Sequence, residues 1–331
     1  MKAAYIEQTG PPEVIQYGDL PCPEPGRDQV LVRVKAAAVN PVDTYIRNGA
    51  DYWELPKPFI IGCDMAGEVV RCGAAVTRFQ PGDRVWCTNQ GLVGRQGTFA
   101  EFCVVDECWL YRTPDSVDDK DAAANALVGV TAHLGLFREG DLQSGQVVFV
   151  HGGSGGVGSM VIQMAKLAGA RVIATGGSDA KVARCLELGA DAAINYRTES
   201  IPTAVQRFAS GGVQLYWETV REPDFDAILE ILADRGRIIL MAGREARPEF
   251  PVGPFYVKEC SLHGLVMFKA TPQEMQRCAD DMNRWMAAGK LKANIGRVFP
   301  LREAAAAHRL QEENTLDKAG TLTGKIIVVP E

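Results

Sequence analysis

The rhythm of apolar and polar positions changes once along this chain. Before Asp115 the apolar positions come in short runs or alternate with polar ones. The clearest case is Gln29-Val30-Leu31-Val32-Arg33-Val34-Lys35, which puts one face of a strand inward. Further strands are expected over 1–6, 14–17, 59–70 and 97–105, with 79–86 a turn feeding another, and proline and glycine turns separate them. Between them the Asn40-Pro41 step breaks a strand, and 42–48 reads as a short helix or turn. Short strands of this kind predict a partly barrel-like β domain. Past Asp115 an alanine-rich helix is expected over 118–134, and strands then alternate with helices. The strands fall at 147–150, 171–175, 192–194, 213–217, 237–241 and 261–267, with helices including 179–188 and 223–233. Six strands in this order predict an α/β fold with a doubly wound parallel sheet. An amphipathic helix over 272–288 carries Met275, Met282, Trp285 and Met286. The closing strand, 324–330, is expected to return to the first domain and make it discontinuous, with 1–121 and 269–331 flanking 122–268.

The pivot of this pattern is the first α/β crossing. Strand 146–150 runs into His151-Gly152-Gly153-Ser154-Gly155-Gly156-Val157-Gly158, and a helix follows. Gly153, Gly155 and Gly158 match G-x-G-x-x-G. The first glycine permits the tight turn and the second lets backbone approach a pyrophosphate. The third lets helix and sheet pack closely. The helix N-terminus offers N–H groups and a positive dipole end to phosphate. Gly153, Ser154, Gly155, Gly156, Val157 and Gly158 are therefore the expected dinucleotide cradle.

Composition narrows the functional class. A chain of 331 residues has room for two domains. Its 47% hydrophobic and 23% charged residues are ordinary for a globular protein. The net charge of −6 supplies no general basic field for nucleic acid or anionic lipid. No run reaches the ~18 apolar residues of a membrane span. The start of the chain has no signal-like apolar region, so a cytoplasmic location is expected. Nine scattered cysteines without a C-x-x-C read as free thiols, several of them buried.

Several segments together resemble one superfamily. They are 39–47 (Val-Asn-Pro-Val-Asp-Thr-Tyr-Ile-Arg), 62–67 (Gly-Cys-Asp-Met-Ala-Gly), 81–85 (Pro-Gly-Asp-Arg-Val), 129–132 (Gly-Val-Thr-Ala) and the glycine turn. Over essentially its whole length the chain is similar to the medium-chain dehydrogenase/reductases, and within them to the zeta-crystallin-like quinone oxidoreductases. The resemblance implies a GroES-like substrate domain, a Rossmann domain, a homodimer and an active site in the cleft between the domains.

That superfamily contains zinc enzymes and zinc-free ones. A catalytic zinc needs three protein ligands and an open position. Where the zinc enzymes carry a cysteine and a Gly-His-Glu, this chain has the Asn40–Asp43 turn and Gly62-Cys63-Asp64. The third ligand would fall near 125–129, which holds neither Cys or His. No metal is expected, and Cys63 reads as a small buried residue.

The cofactor is read from the second strand of the parallel sheet. NAD selectivity asks for an acid at its end, about 20 residues past the glycines. Thr175-Gly176-Gly177-Ser178 stands there instead. Asp179 is either that acid or the helix N-cap, and the cap is the preferred reading. Lys181 lies one turn further on, and Tyr196 follows the third strand. In the family the matching serine, lysine and tyrosine contact a 2′-phosphate, so Gly177, Ser178, Lys181 and Tyr196 predict NADPH.

Hydride transfer asks mainly for positioning in a cleft with little competing water. The resemblance places Asn40 and Thr131 on the nicotinamide side, with Gly243 in a small-residue turn above it. Tyr45 is a candidate to orient substrate or cofactor and Tyr52 is a second aromatic nearby; a tyrosine hydroxyl there can donate to a developing oxyanion. Asp43 is expected to hold the turn or pair with Arg47. After the fourth strand Glu218-Thr219-Val220-Arg221-Glu222 replaces the family's Asp-x-Val-Gly-Gly. The expected function is zinc-independent transfer of hydride or electrons from NADPH to a quinone or similar carbonyl. The alternatives are an NADPH-dependent 2-enal, enone or enoyl-thioester reductase, or an NADPH-binding structural or RNA-binding protein.

Overall fold

The computed structural model describes residues 1–50, 53–317 and 319–331. The chain divides into two compact units, Met1–Leu127 with Phe268–Glu331 and Val128–Met267. Among the described residues no helix is long and apolar enough to cross a membrane.

The first unit is built on β strands. They are β1 (Lys2–Ile6), β2 (Gln16–Asp19), β3 (Gln29–Val39), β4 (Phe59–Ile60), β5 (Asp64–Cys72), β6 (Arg84–Cys87), β7 (Phe102–Asp106) and β8 (Leu110–Arg112). Helix α1 (Pro41–Arg47) follows β3, and α2 (Asp119–His133) carries the chain across the division between the units. Three of the sequence expectations shift here. The strand over 14–17 is a short 3₁₀ turn ending at Val14, with strand only from Gln16. The run 59–70 is two strands, because Gly62 takes φ +103° where a Cβ would lie 2.2 Å from the Phe99 ring. The strand over 97–105 shortens to β7, while Ala100 makes only an isolated bridge to Ala3.

The second unit is the alternating one. Its strands are β9 (Val147–Val150), β10 (Arg171–Gly176), β11 (Ala192–Asn195), β12 (Val213–Glu218), β13 (Leu232–Leu240) and β14 (Ser261–Gly264). Its helices are α3 (Gly156–Leu167), α4 (Asp179–Glu187), α5 (Ile201–Phe208), α6 (Phe225–Ile231) and α7 (Val252–Val257). The sheet order is β11-β10-β9-β12-β13-β14, every pairing parallel, with the order reversing between β9 and β12. This is the expected Rossmann sheet. Val148, Phe149 and Val150 are wholly buried, as a central strand covered on both faces requires. Helix α6 ends at Ile231, two residues before the sequence expectation, because Leu232 already pairs with Val213. Strand β14 stops at Gly264, not Met267, and a 3₁₀ turn takes Met267–Lys269.

The chain then returns to the first unit. Helix α8 (Pro272–Ala287) starts on a capping box between Thr271 and Glu274 and buries Met275, Met282 and Met286. After β15 (Ile295–Pro300) and α9 (Ala304–Thr315), β16 (Lys325–Val329) pairs antiparallel with β3, Ile326 facing Val39. The larger sheet of this unit runs β15-β16-β3-β5-β6-β8, with β7 also on β3, and β2-β1-β4 form a separate small sheet. The GroES-like unit is thus closed by the last strand of the chain.

Candidate active site

In the Rossmann unit the glycine turn sits at the C-terminal end of β9, beside the reversal of strand order, where ligands of open α/β sheets bind. Its glycines have different jobs. A Cβ on Gly153 would stand 2.8 Å from both Ala174 and Ile162, and one on Gly158 would stand 2.3 Å from the Gly152 carbonyl oxygen. Both positions are closed by packing. Among the described residues, chain neighbours aside, a Cβ on Gly155 would meet only the Gly152 oxygen, at 3.5 Å, and the residue is exposed at φ −75°. Nothing in the fold demands glycine there, so the open approach it leaves is available to a ligand. The turn is tied to β10 by Gly153 N–H donating to the Thr175 carbonyl (2.9 Å) and Gly152 N–H to the Thr175 hydroxyl (3.0 Å). Ser154 and Val157 flank the opening of α3, a 12-residue helix whose first-turn N–H groups have no intrahelical acceptor.

The second group lies at the ends of β10 and β11, adjacent parallel strands. The Tyr196 hydroxyl stands over Gly177, so close that a Cβ there would meet it at 2.4 Å. Ser178, not Asp179, is the N-cap of α4, its hydroxyl accepting from Lys181 N–H at 3.4 Å. Asp179 is the first residue of the helix, and its carboxylate accepts from Asn195 Nδ2 at 2.7 Å. The cap belongs to Ser178 because it alone combines extended backbone with a hydroxyl directed at the helix start. A capping oxygen still has its own hydrogen to donate. Gly177, Ser178, Lys181 and Tyr196 are brought together. Gly243 follows β13 at φ +84°, where a Cβ would stand 2.2 Å from the Arg221 carbonyl oxygen. Thr131 is buried in α2.

Sequence reasoning missed a third group in this unit. His151 Nδ1 lies 3.1 Å from Glu218 Oε1, and the Tyr216 hydroxyl is 3.3 Å from the same nitrogen while donating to Glu218 Oε2 at 3.4 Å. Val220 N–H also donates to Glu218 (2.6 Å). His151, Tyr216 and Glu218 line a cavity of about 290 Å³ with Tyr196, Glu199 and Asp224. Burial raises the Tyr216 phenol well above its ordinary value, with Glu218 acting in the same direction. The signal was available. His151 and Glu218 directly succeed or end neighbouring strands, and Trp217 pairs with Val150.

In the GroES-like unit Asn40 caps α1, and the Asp43 carboxylate accepts the Asn40 N–H at 2.8 Å. Asp43 therefore holds the turn. Arg47 does not pair with it; the buried guanidinium pairs with Glu312 of α9. Asn40 is wholly buried, its amide donating to Asp64 Oδ2 (2.8 Å) and accepting from the Lys325 ammonium (2.5 Å). Burial pushes Asp43 up to about 7 and also raises Asp64 and the Cys63 thiol, while lowering Lys325. Cys63 is buried, as expected. Among the described residues no group of three His, Cys, Asp or Glu side chains is placed to hold a metal ion. Tyr45 is half-buried on α1. Tyr52 lies outside the described residues.

A GroES-like unit closed by the terminal strand, together with a parallel six-stranded dinucleotide fold, is the architecture of the medium-chain dehydrogenase/reductases. Residues 26–115 match the model of the alcohol dehydrogenase GroES-like domain, and 156–284 that of the zinc-binding dehydrogenases. The chain is 31% identical over 334 residues to the quinone oxidoreductase of Homo sapiens, covering 99% of this chain and 98% of that one. It is 32% identical over 330 residues to the quinone oxidoreductase of Pseudomonas aeruginosa, covering 97% of each. Among solved structures, an NAD-dependent alcohol dehydrogenase is 32% identical with a TM-score of 0.89 over 99% of both chains. A mycobacterial protein complexed with NADPH is 30% identical with a TM-score of 0.86 over 100% of both. The chain belongs to the quinone oxidoreductase family of this superfamily.

Proposed function

We propose that the protein is an NADPH-dependent quinone reductase that works without zinc. The observation that carries the cofactor reading is the cluster at the ends of β10 and β11. There Ser178, Lys181 and Tyr196 supply two hydroxyls and an ammonium, and Gly177 stands where an NAD-selective enzyme places a carboxylate. Gly153–Gly158 and the start of α3 hold the pyrophosphate by backbone N–H groups. When bound, the reduced nicotinamide supplies the hydride that the quinone accepts. The chain's own part is orientation and proton handling. Asn40, Thr131 and the Gly243 turn are the residues that the family resemblance assigns to the nicotinamide. Tyr45, with Tyr52, orients the substrate and donates to the oxyanion that develops on a quinone oxygen.

Association into a homodimer fits the surface of the Rossmann unit. Edge strand β14 and α7 expose Leu262, Val252, Tyr256 and Val257. Light scattering tests it.

The deciding assay follows NADPH and NADH oxidation with 1,4-benzoquinone, 9,10-phenanthrenequinone, trans-2-hexenal and crotonyl-CoA. Quinone turnover with a higher kcat/KM for NADPH is expected. Equal or better use of NADH removes the 2′-phosphate reading. Turnover confined to the enal or thioester replaces the quinone reading. Lys181→Ala is expected to raise KM for NADPH about tenfold, the loss of one charge-assisted contact, and to leave KM for NADH unchanged.

A further inference from the structure

Lys325 is buried in the GroES-like unit, 5% exposed, at the start of the last strand. A buried ammonium is costly unless paired and fully hydrogen-bonded. Here it donates to two acceptors, the Val39 carbonyl oxygen at 2.6 Å and Asn40 Oδ1 at 2.5 Å. Both belong to the junction where β3 ends and α1 begins. Because Oδ1 of Asn40 faces the ammonium, its Nδ2 faces Asp64, whose Oδ2 also accepts from Leu127 N–H at 3.3 Å. The amide cannot turn over without placing donor against donor and acceptor against acceptor. Asp43 closes the junction by accepting the Asn40 N–H. The charge balance is thus one ammonium among Asp43 and Asp64, and its two bonds land on the last residue of β3 and the N-cap of α1.

We infer that Lys325 is a positioning residue: its ammonium, held by Val39 and Asn40, fixes the start of α1 and so the placement of Tyr45 at the nicotinamide end. The inference rests on the functional reading above, in which Asn40 and Tyr45 stand at that end. It adds that the last strand of the chain, 285 residues from Asn40 in sequence, sets that placement. The alternative is that Lys325 serves only to neutralise Asp64.

The test separates these roles. Lys325→Met alone leaves Asp64 buried without its cation and is expected to lower Tm or prevent folding. The paired variant Lys325→Met/Asp64→Asn removes both charges and keeps an amide oxygen for Asn40 Nδ2. It is expected to fold and to melt above the single variant, yet to show KM for the quinone raised about tenfold. A merely structural role predicts another pattern, since a smaller folded fraction lowers kcat at unchanged KM. Wild-type KM in the paired variant overturns the inference and leaves Lys325 as a charge balance. A wild-type protein that neither binds nor oxidises NADPH overturns the functional reading itself. Turnover by wild type beside an unchanged paired variant sinks only the role of Lys325.

Discussion

Alanine at Gly155 and alanine at Gly158 separate the two tasks of the glycine turn. At Gly158 the new methyl would stand 2.3 Å from the Gly152 carbonyl oxygen and 2.9 Å from Gly153 Cα. Those neighbours are backbone, so α3 must lift away from the turn. Overpacking of this kind costs about 1–3 kcal/mol. In a unit the size of Val128–Met267 that corresponds to a fall in Tm of roughly 3–10 °C. At Gly155 the methyl meets only one atom, at 3.5 Å, and φ is −75°, which alanine adopts freely. Its effect on stability is expected to be within about 1 kcal/mol of zero. If the pyrophosphate approaches this backbone, the same methyl occupies its path, and Kd for NADPH rises at least about tenfold, or ~1.4 kcal/mol. Thermal melts of the free protein and calorimetric titration with NADPH measure the two quantities. Gly155→Ala with wild-type Kd refutes the pyrophosphate placement. Gly158→Ala with wild-type Tm refutes the packing account.

Two further outcomes follow from buried charge. Arg47 is wholly buried and pairs with Glu312, so Glu312→Ala leaves an uncompensated guanidinium and is expected to cost about 3–5 kcal/mol in urea unfolding. A loss under 1 kcal/mol would show that Arg47 is satisfied otherwise. His308 is buried and neutral, lowered by burial and then by Arg47 from its ordinary 6.5 to about 3. Between those values the unfolded chain binds a proton that the folded one refuses, so stability falls as pH drops from 6.5 towards 3. Asp43, raised to about 7, has the opposite sign and loses its contribution as pH rises from 3.8 through 7. His308→Gln is therefore expected to flatten the fall in Tm between pH 6 and 4, and an unchanged acid limb would contradict the assignment.

Periodicity made the Rossmann sheet legible because a parallel central strand must be apolar on both faces. Val147–Val150, Arg171–Gly176 and Val213–Glu218 lie where the pattern put them, within a residue or so. The GroES-like unit was read less well, since its short strands are bounded by contacts distant in sequence. Gly62 breaks a continuous apolar run because the Phe99 ring occupies the space of its side chain. The exchange of cap between Asp179 and Ser178 has a similar cause. Both residue types cap helices, and the Asn195 amide from the next strand engages Asp179.

The sequence by itself determined the alternation of strand and helix, the glycine spacing and the missing acid after β10, because these are local matters of period, turn geometry and charge. Only tertiary structure decided which glycines answer to packing and which leaves room for a ligand. It also brought His151 against Glu218 and Lys325 against Asn40, 67 and 285 residues apart. Such pairings depend on strand order and register, and a buried polar group finds its partner wherever the fold sets one down.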